Sequence, residues 1–159
     1  MPQIVVPLTI RDLAARDLAS CAWSGLGSSL VTELERVGRG DADYLVVCPP
    51  SGLPVALGGV DYAVNRRAGT LYQLTVHGAL QSCGIGTMLI GAAEERIRGR
   101  GLRRAELAVE EKNTRARVLY ERLGYGAYAS KPEAWLDEAP DGSRFRYETV
   151  CTLMRKNLR

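Results

Sequence analysis

Between an apolar run that ends at Val76 and an amphipathic stretch that reaches about Gly99 lies Gln81-Ser-Cys-Gly-Ile-Gly-Thr87, and this junction limits what the chain can fold into. Gly84 and Gly86 carry no Cβ, so the backbone can come close to an anion and take positive φ where a turn needs it. The first N–H groups of a helix have no intrahelical partner, and the helix dipole adds partial positive charge. A pyrophosphate suits such an end without any side-chain cation. Ile85, Met88, Leu89, Ala92, Arg96 and Ile97 recur at helical spacing, with Glu94, Glu95 and Arg98 off the stripe, so one helix face packs and the other is wet. A dinucleotide-type loop would need glycine where Leu89 stands, and a P-loop would need Gly-Lys-Ser/Thr. The plainer reading of two glycines at a helix start is a tight turn.

The rest of the chain reads as strands and helices in a definite order. Gln3 to Ile10 is β-rich but holds Pro7, which makes it an edge strand. Ala14 to Trp23 has a helical stripe broken by Gly25 and Gly27, and a second helix, capped by Ser28 or Ser29, ends at Gly38 and Gly40. Tyr44–Cys48 and Pro54–Tyr62 form a hairpin around Pro-Pro-Ser-Gly, and Thr70–Val76 follows after Gly69. Past the helix at Gly84, a strand over Arg104–Val109 and a short helix from Asn113 complete a βαβα unit. Asn113 is a good N-cap, and Gly124 stands where a left-handed C-terminal residue belongs. Tyr125 to about Trp135 and Ser143 to Met154 make a last hairpin turned at Asp141-Gly142, with Phe145, Tyr147, Thr149, Cys151 and Leu153 alternating along its second strand.

Composition excludes several classes of function. The 159 residues suit one domain, expected to span 1–159, that can bury a core without metals or disulfides. The net charge of +3 is spread along the chain, which argues against a nucleic-acid tract. Cys21, Cys48, Cys83 and Cys151 show no paired spacing, and with His77 the sole histidine no metal set is expected. A reducing cytoplasm suits these cysteines. No basic leader and no apolar run of membrane length is present in the sequence, so no membrane partner and no removed segment are expected.

A second segment, Asn113-Thr-Arg-Ala-Arg-Val-Leu-Tyr-Glu-Arg-Leu-Gly-Tyr125, makes the first far more specific. Together they resemble the signature of the GCN5-related N-acetyltransferases. The family's loop pattern, Gln/Arg-x-x-Gly-x-Gly/Ala after a strand ending in Val, is matched by Val76, Gln81, Gly84 and Gly86, and its later pattern by Asn113, Ala116, Leu119, Tyr120, Gly124 and Tyr125. The match runs from about Thr70 to Tyr125. Gly78 stands where the family usually has Pro, and Ser82 where it usually has a further Gly. The resemblance implies an α/β fold with a mixed, mostly antiparallel seven-stranded sheet flanked by about four helices, the first two bordering the acceptor site.

It also implies a chemistry. Acetyl-CoA would be the donor, held by backbone near Leu74 and Val76, by the cradle Gln81, Ser82, Cys83, Gly84, Ile85, Gly86 and Thr87, and by Asn113. One of the strand amides would polarise the acetyl carbonyl, and Tyr120 would protonate the leaving thiolate. Each residue also has a bland reading: Leu74 and Val76 as core, Asn113 as a cap, Tyr120 as a boundary aromatic, Cys83 as a small filler, Arg117 and Arg122 as a solvated face. The strand before the cradle, Ala68–Val76, holds no carboxylate. The general base therefore stays open among Asp61, Glu110, His77 and a water relay. Glu133, Asp137, Glu138 and Asp141 make the last hairpin acidic, which would attract a cationic amine.

The expected function is direct acetyl transfer to a primary amine in a ternary complex, a small amine being favoured over a protein. The alternatives are a non-catalytic acyl-CoA-binding module and an acyltransferase acting on a protein N-terminus or lysine. A homodimer through the last hairpin would cover its edge strands.

Overall fold

The structure, a computed structural model, describes residues 2–159. Its strands are β1 (Thr9–Asp12), β2 (Ala42–Cys48), β3 (Ala56–Asp61), β4 (Gly69–Val76), β5 (Arg104–Glu110), β6 (Gly126–Glu138) and β7 (Arg144–Asn157). The α-helices are α1 (Ser29–Gly38), α2 (Ile85–Gly99) and α3 (Thr114–Arg122), preceded by a 3-10 helix at Ala15–Ser24. The sheet is seven-stranded, in the order β1-β2-β3-β4-β5-β7-β6. This is the mixed, mostly antiparallel α/β architecture expected. The chain divides into two compact units, Met1–Ala105 with Leu158–Arg159, and Glu106–Asn157.

In the first unit β2 is covered on both faces. Tyr44, Val46 and Cys48 point one way, into a cluster with Leu13, Cys21, Leu30 and Leu57. Leu45 and Val47 point the other way, against Ala56, Ile85 and Leu89. The period of two along a strand sorts the residues, and α1 and α2 supply the opposing apolar stripes. β2 pairs antiparallel with β1 and β3, and β3 with β4.

Two N-terminal expectations are corrected. The first strand is not Gln3–Ile10 but Thr9–Asp12; Ile4 and Val5 are exposed, and Pro7 has no N–H to give a ladder. It is still an edge strand. The expected helix over Ala14–Trp23 is a 3-10 helix over Ala15–Ser24. Its start is held by Asp17, whose carboxylate accepts both Arg11 guanidinium N–H groups at 2.7 Å and the Ala14 amide at 2.8 Å.

In the second unit, Asn113 caps α3 by accepting the Ala116 amide at 3.2 Å, and Gly124 takes φ 100° after the helix, both as read from sequence. β6 and β7 pair antiparallel from Gly126↔Arg155 to Glu138↔Arg144 and turn at Gly142, which has φ 86°. Among the described residues no helix is long and apolar enough to cross a membrane, and no group of side chains is arranged to hold a metal.

Arg11 holds the nearly buried Asp17 carboxyl below its ordinary range; burial opposes this, and the Ala14 amide adds to it. The depressed folded pKa means the stabilisation is full above the unfolded value near 3.9 and is lost as pH falls through the folded one. Asp17→Asn is expected to cost about 3 kcal/mol at neutral pH. Urea unfolding at pH 7 and pH 3 checks this, since the gap between variant and wild type should narrow at the lower pH.

Candidate functional site

The cradle is built by the end of β4, a short 3-10 turn at Gly78–Leu80 and the start of α2. His77 caps the turn, its Nδ1 accepting the Ala79 amide at 3.2 Å, and its ring lies 5.3 Å from that of Trp23. The Gln81 side-chain amide donates to the Val76 carbonyl at 3.4 Å, and the Cys83 thiol to the Gln81 carbonyl at 3.7 Å. Gly84 is the N-cap of α2, with φ 83° and no side chain to cap the helix. A Cβ added there would meet nothing within 4 Å. Gln81, Ser82, Cys83, Gly84 and Thr87 are exposed, whereas Ile85 is anchored in the core. An uncapped, exposed helix start fits an anionic group.

Ser82 has φ 66°, a conformation that glycine adopts without strain. The backbone thus keeps a left-handed turn at the position where the resembled family usually has glycine, although here a side chain must be accommodated.

β4 contains a second left-handed residue that the sequence reading missed. Gln73 has φ 56° in the middle of the strand. The register runs Gly59↔Tyr72 and then Leu57↔Thr75, so Gln73 and Leu74 together oppose Gly58. This is a β-bulge, which re-aims the backbone that follows it. Tyr44 donates its hydroxyl to Gln73 Oε1 at 2.8 Å, and the Thr75 hydroxyl donates to the Gln73 carbonyl at 2.9 Å. The legible signal was Gly58-Gly59, because glycine inside a strand marks a bulge or a close approach. A Cβ on Gly58 would lie 2.6 Å from Leu74, and one on Gly59 would lie 2.5 Å from the Tyr72 ring. The side chains of Leu74 and Val76 pack against the core cluster of Leu45 and Val47.

Beside the bulge lies a polar network that the sequence also did not reveal. Tyr72 donates its hydroxyl to the buried Glu33, and Arg36 reaches Glu33 at 3.2 Å and Asp61 at 2.5 Å. Asp61 also accepts the amides of Ala63 at 2.7 Å and Val64 at 3.0 Å. Burial pushes the Asp61 carboxyl up, but the Val64 and Ala63 amides and Arg36 outweigh it and hold the group below its ordinary range. Asp61 is therefore a fixed structural anion. Of the other base candidates, His77 is engaged as a cap, whereas Glu110 keeps a buried carboxylate oxygen with no hydrogen-bond partner.

In the second unit, Tyr120 sits on α3 with its ring edge-on to Tyr125, centroids 6.2 Å apart. Burial pushes its phenol above the usual range, so it is protonated across neutral pH. Arg117 pairs with Glu121 at 3.0 Å.

Residues 45–125, just over half of the chain, match the acetyltransferase (GNAT) family. The chain belongs to that family, whose members transfer acetyl groups from acetyl-CoA. It is similar to the mycothiol acetyltransferase of Beutenbergia cavernae, 44% identical over 61 residues that make up 38% of this chain and 20% of that protein. The ribosomal-protein-S18-alanine N-acetyltransferase of Escherichia coli shares the fold, with TM-score 0.74, 20% identity, and coverage of 96% of this chain and 94% of that one. So does an acetyltransferase of Salmonella typhimurium solved with its cofactor acetyl-CoA, with TM-score 0.73, 19% identity, and coverage of 96% and 95%.

Left-handed backbone costs a residue with a side chain roughly 1–2 kcal/mol. Ser82→Gly is therefore expected to raise stability by up to about 1 kcal/mol, after the greater freedom of glycine in the unfolded chain is subtracted. Thermal unfolding reads this. A fall in midpoint would mean that contacts of the serine side chain outweigh the strain.

Proposed function

We propose that this chain is an acetyl-CoA-dependent N-acetyltransferase, its two units acting together as one catalytic domain, that acetylates a small primary amine by direct attack in a ternary complex. The observation that carries this is the uncapped, glycine-started and exposed N-terminus of α2 inside the stretch that matches the family. Acetyl-CoA is the donor; no metal is needed. The amides of Ile85, Gly86 and Thr87 would hold its phosphates, with Gln81, Ser82, Cys83 and Gly84 shaping the turn and Asn113 giving a further contact. The backbone beyond the bulge, at Leu74 and Val76, would align the pantetheine arm, and one of its amides would stabilise the carbonyl oxygen as it gains charge.

In the reaction, the amine nitrogen bonds to the thioester carbonyl carbon, the carbonyl electrons move to oxygen, and their return breaks the C–S bond. Tyr120 donates its phenolic proton to the departing thiolate, and the proton lost from nitrogen passes to a base. With Asp61 tied to Arg36 and His77 engaged as a cap, Glu110 or a water relay is the better candidate for that base. A small acceptor is supported by the relative named a mycothiol acetyltransferase. Four free cysteines, three of them buried, support a reducing, cytoplasmic setting. The reading includes a homodimer through the last hairpin.

Tyr120→Phe is expected to lower turnover roughly a hundredfold while acetyl-CoA affinity, read by calorimetry, stays unchanged. Unchanged turnover at every pH would remove Tyr120 from the mechanism. Gly84→Val is expected to abolish measurable acetyl-CoA binding, because the branched side chain would stand in the space the ligand needs and strains a left-handed residue. Calorimetric titration with acetyl-CoA, followed by thiol release against a panel of polyamines, amino acids, aminoglycosides and short peptides, tests the whole reading. Binding without turnover on any amine would favour a non-catalytic acyl-CoA-binding module, and turnover on peptides alone would favour a protein acceptor.

A further inference from the structure

Five arginines fall between Arg96 and Arg104, at the C-terminal end of α2 and just past it, and the fold uses them unequally. Arg96 pairs with Asp12 at 2.8 Å and faces Asp43 at 3.7 Å. Arg100 lies over the Tyr62 ring, 3.7 Å from its centre, and donates to the Gly40 carbonyl at 2.8 Å. Arg98 and Arg103 instead line an open cavity of about 480 Å³ with Gly101, Leu102, Leu158 and Arg159, all of them in the first unit.

Backbone hydrogen bonds build this convergence. Gly101 takes φ 80°, its amide donates to the Arg98 carbonyl at 2.8 Å, and the Leu102 amide reaches back to the Ile97 carbonyl at 3.2 Å. Such a turn closes a helix firmly, so Arg103 follows Arg98 through hydrogen-bonded backbone and not through a loose loop. The Leu158 amide then donates to the Arg103 carbonyl at 2.7 Å, and Arg98 Nε to the Arg159 carbonyl at 3.0 Å. Guanidinium groups from two distant stretches of sequence are thereby gathered on one cavity.

Their charge is largely unmet by the protein. Arg98 Nη1 pairs with Glu95, which leaves Nη2 without an acceptor among the described residues. Among those residues the Arg103 and Arg159 side chains have no ion pair or hydrogen bond, and both are exposed. A helix C-terminus attracts cations, but here the Arg96, Ile97 and Arg98 carbonyls are already taken by the amides of Arg100, Leu102 and Gly101. Like charges converging in a concave site repel one another and raise its potential for anions. Guanidinium forks bind the paired oxygens of carboxylate and phosphate. Among the described residues no aromatic side chain lines the cavity, so a nucleobase has nothing to stack on. The ligand that fits is a small, compact anion with two or more charges.

We propose that the cavity of Arg98, Arg103 and Arg159 is a binding site for a small multivalent oxyanion, whose phosphate or carboxylate oxygens bridge the guanidinium groups. The cavity lies at the opposite end of α2 from the cradle, roughly 20 Å away along a helix of 15 residues. This site stands apart from the catalytic reading and survives if that reading fails.

Calorimetric titration of the full chain with inorganic pyrophosphate and, separately, with citrate, at constant ionic strength, tests it. At least one probe is expected to bind saturably at a site that Arg103→Gln and Arg159→Gln each weaken roughly tenfold or more, the loss typical of a charged hydrogen bond. Circular dichroism verifies that these exposed substitutions keep the fold. Gly84→Val, which blocks the cradle, should leave this binding intact and so separates the two ends of α2. The tighter probe identifies the ligand as a phosphate or a carboxylate, and either result upholds the site. Binding lost in Gly84→Val but kept in Arg103→Gln would place the anion in the cradle and overturn the proposal. Heat that saturates with neither probe would overturn it as well.

Discussion

The first unit depends on β2 being buried on both sides. Tyr44, Val46 and Cys48 on one face and Leu45 and Val47 on the other leave the strand little solvated surface beyond Asp43. Its neighbours must then be flat enough for helices to approach from both directions. Gly58 and Gly59 in β3 meet that demand, since a Cβ on either would collide with β4 side chains. The same close approach accompanies the bulge at Gln73, so the packing of the core and the shape of the strand that precedes the cradle are one problem.

The polar network beside the bulge follows from that arrangement. Tyr72 reaches Glu33 on α1, and Arg36 joins Glu33 to Asp61 at the end of β3. These groups are poorly solvated and are satisfied by one another and by the Ala63 and Val64 amides. Burial and the neighbouring Glu33 carboxylate push the Tyr72 phenol well above its ordinary range, so it remains a hydrogen-bond donor. A network of this kind fixes a single arrangement of α1 on the sheet, because breaking one link leaves a buried charge uncompensated.

Much of this was legible in the sequence because it rests on local chemistry. The caps and turns at Asn113, Gly124 and Gly142 follow from short-range rules, and the stripes of α1 and α2 follow from helical period. What escaped was mostly non-local. Ala14–Trp23 has a helical stripe but winds as a 3-10 helix, its start tied by the Asp17 carboxylate to Arg11 and to the Ala14 amide. Gln3–Ile10 has β propensity with no partner for its first half, and the paired strand starts only at Thr9. The bulge at Gln73 arises from a residue mismatch between two strands, which one strand's sequence cannot display. Asp61 was readable as a candidate base only while its neighbours were unknown; Arg36, far from it in sequence, assigns it elsewhere.

Ser82 and Gln73 share an unusual property: each holds a left-handed backbone conformation while carrying a side chain. Local preference would not choose this at either position, so the surrounding fold enforces it, and the conformational work is done when the chain folds. A ligand that meets these two turns therefore has less loop ordering to impose than it would on an unstructured segment. The strain belongs to folding and not to association, and the unliganded protein carries it as a standing cost in stability.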